Sequence, residues 1–409
     1  MKNEKGKAKN NECIRKGRKS LYTKSKNEDV EERSNAQKGD DDAEDDDGPG
    51  DRKLLTCGEL NFSSKQSSST QGPEDETKRQ KNRSSKQSRK FRRKLDEGTI
   101  IRTQINRYRV LGLVGSGGFG DVYSIERLQR KDEEISAVFA MKTEIKSVDG
   151  SNIDRLKIET TILELCAALQ PERRQHFVRM IDKGHTGEFK FIVMDLVGMS
   201  LDFIQLRMPG NHFSYSTCTN LGLQTIDAIA DLHDLGYIHR DVKPQNFSVG
   251  AGKMADTIFL LDFGIVRKYT IDGCNLVRLP RAIVRFVGTV RYASRNCHRS
   301  RDQCRRDDLE SWLYMFLEFI DLKALPWAKK IDKNVVCALK EKFFAGNFPK
   351  MVTLLPREIS KIIDYIDSLT YPSLPDYEYI KEMLRRAAQR RKANLNERFD
   401  WQMDASCQN

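Results

Sequence analysis

YIHRDVKPQNF, residues 237–247, sets a carboxylate (Asp241), an amine (Lys243) and an amide (Asn246) on one short stretch. Pro244 keeps the stretch from running on as a helix, because proline has no N–H to donate and clashes with the preceding turn. The result is a rigid loop. Such a loop can orient a hydroxyl, neutralise a phosphoryl group in transfer and hold a metal ion. An ordinary turn rarely produces all these residue types in this order. Downstream, FLLDFGIV (259–266) is an apolar strand that ends in Asp262-Phe263-Gly264. An aspartate at a strand end is well placed for Mg2+, which takes oxygen ligands and keeps phosphates among them. Taken alone, Asp262 is equally a turn aspartate before a glycine.

Upstream, VGSGGFGDVY (114–123) carries Gly115, Gly117 and Gly120 in the G-x-G-x-x-G spacing. In dinucleotide folds that spacing leads from a strand into a helix. Here strand-forming residues lie on both sides, Val110 and Leu111 before, Val122, Tyr123 and Ile125 after. A hairpin folded over phosphates fits better, since glycine lets the backbone approach the phosphate oxygens closely. A plain hairpin turn would share the pattern. FAMK (139–142) then places Lys142 in an apolar strand. A lysine there is costly unless paired, and phosphate oxygens or a helix glutamate would pair it. Glu159 is the candidate, on IDRLKIETTILELCAAL (153–169), where Ile158, Ile162 and Leu165 recur at helical spacing. By itself, Lys142 reads as well as an exposed lysine on an edge strand.

In this order and at these separations, the four segments resemble the protein kinase signature set. The resemblance covers about Ile105 to Leu384. It implies an α+β, bilobal protein-kinase fold: a small antiparallel β-sheet lobe plus one helix, and a larger helical lobe. It implies a serine/threonine protein kinase that transfers the γ-phosphoryl group of ATP to protein hydroxyls with Mg2+. Carried over residue by residue, it implies that Val114, Gly115, Ser116, Gly117, Gly118, Phe119, Gly120, Asp121 and Val122 cover the nucleotide. Lys142, paired with Glu159, would hold the α- and β-phosphates. Ala140, Met194, Asp195 and Val197 would line the adenine pocket, the last two through their backbone. Asp241 would accept the substrate hydroxyl proton, Lys243 would stabilise the transferring phosphoryl group, and Asn246 and Asp262 would bind Mg2+.

The Ala-Pro-Glu tripeptide that usually closes a kinase activation segment is absent. The corresponding place reads GTVRYAS (288–294), followed by RRDDLES (305–311). With MDLVGMSL (194–201), these segments resemble the casein kinase 1 group; PRAIVRFVGTVRYAS (280–294) and LPWAKKIDK (325–333) are similar to its tau-tubulin kinase-like branch. The resemblance implies that Thr289 bridges Asp241 and Lys243 and helps seat the substrate. It also implies a resident anion site in place of a phosphothreonine docked on Arg240. Arg278, Arg281, Arg285 and Arg291 are its candidates, with Lys329 and Lys330 adding to it. A guanidinium binds carboxylate or phosphate in a bidentate fork, so acidic or pre-phosphorylated Ser/Thr sites would be favoured. Asp308 is expected to cap the catalytic loop from beneath, and Trp312, Phe316 and Phe319 to lie in the core. His185, His212 and His233 show no ligand-like partners, and Cys297, His298 and Cys304 fall short of the four ligands of a structural zinc site.

The totals bound these readings. Of 409 residues, 38% are hydrophobic and 32% charged, with a formal net charge of +12. So polar a composition implies a sizeable disordered fraction. It is expected in residues 1–100, where DDDAEDDD (40–47), SSKQSSST (63–70) and KRQKNRSSKQSRKFRRK (78–94) stand among few large apolar residues. The kinase domain is expected at 105–388, with a small lobe at about 105–195, a large lobe at about 198–388, and a flexible tail at 389–409. No window approaches the length of a membrane span, and the first residues lack the apolar core of a secretory signal. The nine scattered cysteines fit reduced thiols in a cytoplasmic or nuclear protein. Three rival readings are weaker. A catalytically weak scaffold would usually have lost Lys142, Asp241 or Asp262, and a small-molecule kinase seldom keeps the whole glycine loop. A nucleic-acid-binding protein would account for the charge, but no RNA-binding aromatic consensus or zinc-finger spacing appears. Nucleic-acid contact through the basic arm remains as a secondary partner.

Overall fold

The computed structural model describes residues 94–117, 120–128, 137–146, 154–271 and 276–403. The disorder expected of residues 1–93, and the end of the tail from residue 404, lie outside the described residues.

The small lobe is a six-stranded sheet. Its strands are β1 (Ile100–Arg102), β2 (Arg107–Ser116), β3 (Asp121–Leu128), β4 (Val138–Ile145), β5 (Met180–His185) and β6 (Phe189–Asp195). They run antiparallel in the order β1-β2-β3-β4-β6-β5. Side chains alternate across a pleated strand, so each strand feeds two faces. One face buries Tyr108, Val110, Tyr123, Ile125, Met141, Phe191 and Val193 in a core of its own. The other turns Ala140, Ile192 and Met194 toward helix α1 (Arg155–Ala167) and the large-lobe core. Asp154 caps α1 by accepting from the Lys157 N–H. The buried face of α1 is Leu156, Glu159, Ile162, Leu163 and Cys166, while Ile158 and Leu165 are only partly buried. The helix is thus turned from the expected stripe so that Glu159 points inward.

The sheet also starts earlier than expected. Gly98 N–H donates to the Val110 carbonyl at 2.8 Å, Leu95 N–H to the Tyr123 hydroxyl at 3.1 Å, and Ile101 is buried. The fold therefore includes residues 95–104, which the expected arm boundary at 100 and domain start at 105 leave out. The alternation of so short an edge strand is invisible in a polar stretch.

The large lobe is helical. In chain order it contains α2 (Pro171–Arg174), α3 (Leu201–Gln205), α4 (Tyr215–Asp234), α5 (Arg295–His298), α6 (Arg305–Ile320) and α7 (Lys333–Phe344). These are followed by α8 (Lys350–Thr353), α9 (Arg357–Ser368), α10 (Tyr377–Arg390) and α11 (Asp400–Met403). Helices α4 and α6 carry the centre of the core, where Trp312, Phe316 and Phe319 are fully buried and Trp312 Nε1 donates to Thr225 Oγ1 at 2.9 Å. Two small antiparallel pairs lie against it: β7 (Tyr237–Ile238) with β10 (Arg267–Lys268), and β8 (Phe247–Val249) with β9 (Ile258–Leu260). The architecture is the expected α+β arrangement of a sheet lobe with one helix and a helical lobe. Among the described residues no helix is long and apolar enough to cross a membrane.

The expected flexible tail is corrected through Met403. Trp401 is buried, stacks on Phe399 with ring centroids 4.5 Å apart and meets Phe213 edge-on. Asp400 accepts from the Ser214 N–H and hydroxyl at 2.6 Å each, at the N-cap of α4. Two aromatic rings and one carboxylate suffice to dock a segment without regular hydrophobic periodicity.

Candidate active site

The β8–β9 hairpin brings the two decisive stretches together. The loop 237–247 enters it, the 259–266 strand leaves it, and Leu261 N–H donates to the Asn246 carbonyl at 2.8 Å. Asp262 therefore follows directly beside Asn246. Two residues there hold the left-handed backbone conformation, Arg240 at φ 67° and Asp262 at φ 64°. Non-glycine residues stay in that region only when their surroundings over-determine them. Arg240 is held by its N–H, which donates to Asp308 Oδ1 at 2.9 Å, and by its Nε, which donates to the Ile265 carbonyl at 2.7 Å. Asp308 also accepts from the His239 N–H at 2.6 Å and bonds His233 Nε2 at 2.9 Å. It caps the catalytic loop from beneath, as expected. His233 is fully buried between Asp308 and the Tyr377 hydroxyl.

Above this support, Asp241, Lys243 and Thr289 form a triangle. Thr289 Oγ1 donates to Asp241 Oδ1 at 2.8 Å and accepts from Lys243 Nζ at 2.9 Å. Lys243 Nζ also donates to Asp241 Oδ2 at 2.5 Å. Asn246 Nδ2 donates to the Asp241 carbonyl at 2.8 Å, which leaves its Oδ1 for another partner. Thr289 reaches this position because Gly288 precedes it at φ 115°, where an added Cβ would sit 2.6 Å from the Arg240 carbonyl. Only glycine fits that approach.

Lys142 closes the site from the small lobe. Its Nζ donates to Glu159 Oε2 and, at 2.9 Å, to Asp262 Oδ1. Burial alone would lower the Lys142 pKa, but the carboxylates of Glu159 and Asp262 outweigh it and hold the amine charged well above its ordinary range. Asp262 moves the other way: burial opposes its ionisation, and Lys142 overcomes that and keeps its pKa low. The glycine turn is closed by Gly117 N–H to the Gly120 carbonyl at 2.9 Å and by Ser116 Oγ to Asp121 Oδ1 at 2.6 Å. A Cβ on Gly120 would fall 1.9 Å from the Thr143 carbonyl, so the turn can lie close on β4 only with glycine there. Gly118 and Phe119 lie outside the described residues. Val114 is exposed and Val122 half-buried on the same hairpin, and Ala140 pairs with Met194 across β4 and β6. The Asp195 N–H is committed to the Arg179 carbonyl at 3.1 Å, so only its carbonyl could meet an adenine.

The expected anion site needs correction. All three donor positions of Arg291 are engaged within the protein: Nη1 with Glu318 Oε1 at 2.8 Å, and Nε and Nη2 with the Ala328 carbonyl at 3.1 and 2.8 Å. Arg281 holds Asp302 through its backbone N–H and two guanidinium nitrogens at 3.1–3.3 Å. Arg278 Nε donates to the Thr270 carbonyl at 2.9 Å. Arg285, Lys329 and Lys330 are exposed. Glu318, Asp302 and Lys340, which organise this region, had no sequence signal because their partners lie many residues away. Cys297 Sγ faces the Val287 carbonyl, and Cys304 caps α6 together with Asp307.

A family profile described as "Protein kinase domain" matches residues 108–392. The chain is 36% identical over 270 residues to the putative serine/threonine-protein kinase ZK507.1 of Caenorhabditis elegans, an alignment covering 66% of this chain and 80% of the relative. It is 32% identical over 296 residues to the putative serine/threonine-protein kinase ZK507.3 of the same organism, covering 72% and 73%. To the C. elegans serine/threonine-protein kinase spe-6 it is 31% identical over 319 residues, covering 75% and 78%.

Proposed function

Because the chain belongs to the protein kinase family and is a protein serine/threonine kinase, we propose that its triangle of Asp241, Lys243 and Thr289 carries the transfer. The observation behind this is the Thr289 hydroxyl, which bridges the carboxylate and the ammonium. Asp241 accepts the proton of a substrate serine or threonine hydroxyl as its oxygen attacks, and Lys243 neutralises charge on the phosphoryl group in transfer. Positioned acid–base groups of this kind contribute about 10²- to 10⁴-fold.

The family generally uses ATP and Mg2+. Lys142 is suited to the α- and β-phosphates, since its ammonium stays charged within reach of the cleft. The glycine turn at 115–120, Ala140, Met194, the Asp195 carbonyl and Val197 would take the rest of the nucleotide. The Asn246 side-chain oxygen and the Asp262 carboxylate form a hard oxygen donor set of the kind Mg2+ selects. Bound there, the ion would screen phosphate charge.

The GTVRYAS and RRDDLES segments support placement in the casein kinase 1 group, near the tau-tubulin kinase-like branch. A preference for acidic or phosphorylated substrates would draw on the exposed Arg285, Lys329 and Lys330. The test is phosphoryl transfer from Mg-ATP to a panel of serine and threonine peptides, acidic, neutral and primed, with Asp241→Asn as baseline. Wild type is expected to exceed that baseline by orders of magnitude and to turn over acidic peptides best. Activity no greater than Asp241→Asn on every peptide would overturn the catalytic roles.

A further inference from the structure

Lys340, on α7, is fully buried, and the proposed chemistry does not use it. Its Nζ donates to two carbonyls, Val290 at 3.1 Å and Ala293 at 2.5 Å, and lies 3.2 Å from His298 Nε2, which itself lies 3.3 Å from the Val290 carbonyl. Two of the three N–H donors of an ammonium serve the two carbonyls. The rings of Tyr314 and Trp327 lie 4.7 and 5.5 Å away, a favourable lining for a cation. Among the described residues no carboxylate lies within ion-pair distance of it. This is a cage shaped for a charged amine, and two of its walls are backbone carbonyls of the loop that follows Thr289.

His298 Nε2, 3.3 Å from the Val290 carbonyl, is a further contact on this loop. Trp327 Nε1 donates to the Arg291 carbonyl at 2.9 Å, between the two carbonyls that Lys340 holds. Thus the carbonyls of residues 290, 291 and 293 are fastened from the large-lobe interior, two of them by one amine. The geometry points to Lys340 as a positioning residue for the protein substrate, setting the shape of the 289–294 loop against which the phosphorylated residue is seated. This rests on the reading above that Thr289 and its loop seat the substrate.

A consequence separates this role from simple packing. Loss of the proton removes the charge that strengthens the bonds to both carbonyls and the attraction to the faces of Tyr314 and Trp327, so the grip on the loop weakens. Burial pushes the Lys340 pKa down to about 7, opposed by Glu310 on α6, Cys297 on α5 and Cys337 on α7. The other groups facing it do not titrate between pH 6 and 8.5. Burial and Lys340 push His298 down to about 4, burial raises the Cys297 thiol to about 11 and raises Cys337, and Tyr314 is pushed far up. The loop should therefore loosen as the pH rises through neutrality.

The experiment uses the full chain and an N-acetylated acidic serine peptide free of His, Cys and phosphate. KM for peptide and KM for ATP are measured from pH 6 to 8.5. For wild type, peptide KM is expected to rise about three- to tenfold, the equivalent of one lost hydrogen bond, while ATP KM stays level. Lys340→Met should show the raised peptide KM at every pH. Lys340→Arg, which keeps the charge, should recover part of the affinity without the pH dependence. A level wild-type peptide KM overturns the proposal even if Lys340→Met fails to fold, and so does a folded Lys340→Met with wild-type peptide KM. Wild type that transfers no more phosphate than Asp241→Asn sinks the underlying catalytic reading as well.

Discussion

Arg281 grips Asp302 through both its backbone N–H and its guanidinium, and Asp302 is buried with Arg267 Nη2 a further 3.9 Å away. Arg240, beside Asp241, feels the same group: burial, Arg267 and Arg281 lower its pKa to about 10, and Asp302 and Asp308 oppose them. A carboxylate of the chain itself thus occupies a nest of three guanidiniums. The stretch from Ile271 to Gly288 contains no Ser, Thr or Tyr that could bring a phosphate to it. Phosphatase treatment of the purified protein is expected to leave kcat unchanged. Asp302→Asn should destabilise by about 2–4 kcal/mol, as buried cations lose their counter-charge, with added sulfate restoring part of the melting temperature. Burial acts against ionisation of Asp302, but Arg281 wins and keeps its pKa low. Its contribution is therefore complete above the ordinary aspartate value near pH ~3.9 and is lost only as the pH falls through the lower folded value.

Substitution of Arg291 distinguishes a substrate-binding arginine from a structural one. Its guanidinium meets Glu318, which is 3% exposed and also accepts from the Tyr292 hydroxyl. Arg291→Ala would strand that carboxylate and the Ala328 carbonyl, at a cost of about 3 kcal/mol. Peptide KM should rise equally for acidic and neutral peptides. Arg285→Ala, or Lys329 and Lys330 changed together to Ala, should raise KM for the acidic peptide selectively. A selective effect at Arg291 instead would return it to the anion site.

The catalytic loop was legible because its chemistry is local. Asp241, Lys243 and Asn246 lie within one turn-forming stretch, and Asp262 ends an apolar strand, so residue type and spacing together disclose them. Thr289 was found through its flanking segment, not through any local property of a threonine. The internal partners of Arg291 are invisible in sequence for a reason that applies to surface cations generally. Its partner, Glu318, stands on a helix whose apolar residues mark it as core, and nothing in sequence pairs the two. Lys340 was hidden likewise, as a lysine on an otherwise amphipathic helix whose acceptors are backbone carbonyls, which sequence does not display. The start of the sheet and the docked C-terminal segment were missed because one buried isoleucine, or two stacked rings, make no periodic pattern.

Lys142 is expected to matter for stability as well as for nucleotide binding. It is the counter-charge of Glu159, which is 4% exposed on its side chain. Burial raises the Glu159 pKa, with Lys142 opposing. In Lys142→Met that opposition is gone and the raised value goes higher. A carboxyl whose folded pKa lies above its unfolded one stabilises most at low pH and loses this as the pH climbs through the folded value. The variant's melting temperature should therefore fall relative to wild type between pH 5 and 8. Its kcat should fall by at least about 10²-fold, as when one positioned charge donor is removed. A stability deficit independent of pH would argue against a buried Lys142–Glu159 pair.

The Lys340 cage carries a stability signature opposite to its effect on substrate. Its folded pKa of about 7 lies below the ordinary lysine value near ~10.4, so the folded protein sheds this proton before the unfolded chain does. Between those values the unfolded state holds more protons, and stability from this site rises with pH. Wild type should thus gain melting temperature relative to Lys340→Met from pH 7 to 8.5, over the same range in which its peptide KM worsens. General unfolding would move both in the same direction.

The segment after α10 gives the last expectation. Asp400 binds both donors of Ser214 at the start of α4, Ser216 Oγ donates to the Asn394 carbonyl, and Asn220 Nδ2 donates to the Leu395 carbonyl at 3.0 Å. Phe399 and Trp401 cover Phe213, which itself meets Phe319 at the end of α6. Helix α4 leads through β7 into the 237–247 loop. Asp400→Ala removes the acceptor of both donors of Ser214, the N-cap of α4, and should cost about 1 kcal/mol. Ending the chain at Lys392 also exposes the aromatic cluster, and should cost at least about 3 kcal/mol by loss of one buried aromatic contact surface. Differential scanning calorimetry of the two variants checks the order. A truncated protein that melts with wild type would mean that residues 393–403 only rest on the surface, and that α4 holds its own N-terminus without them.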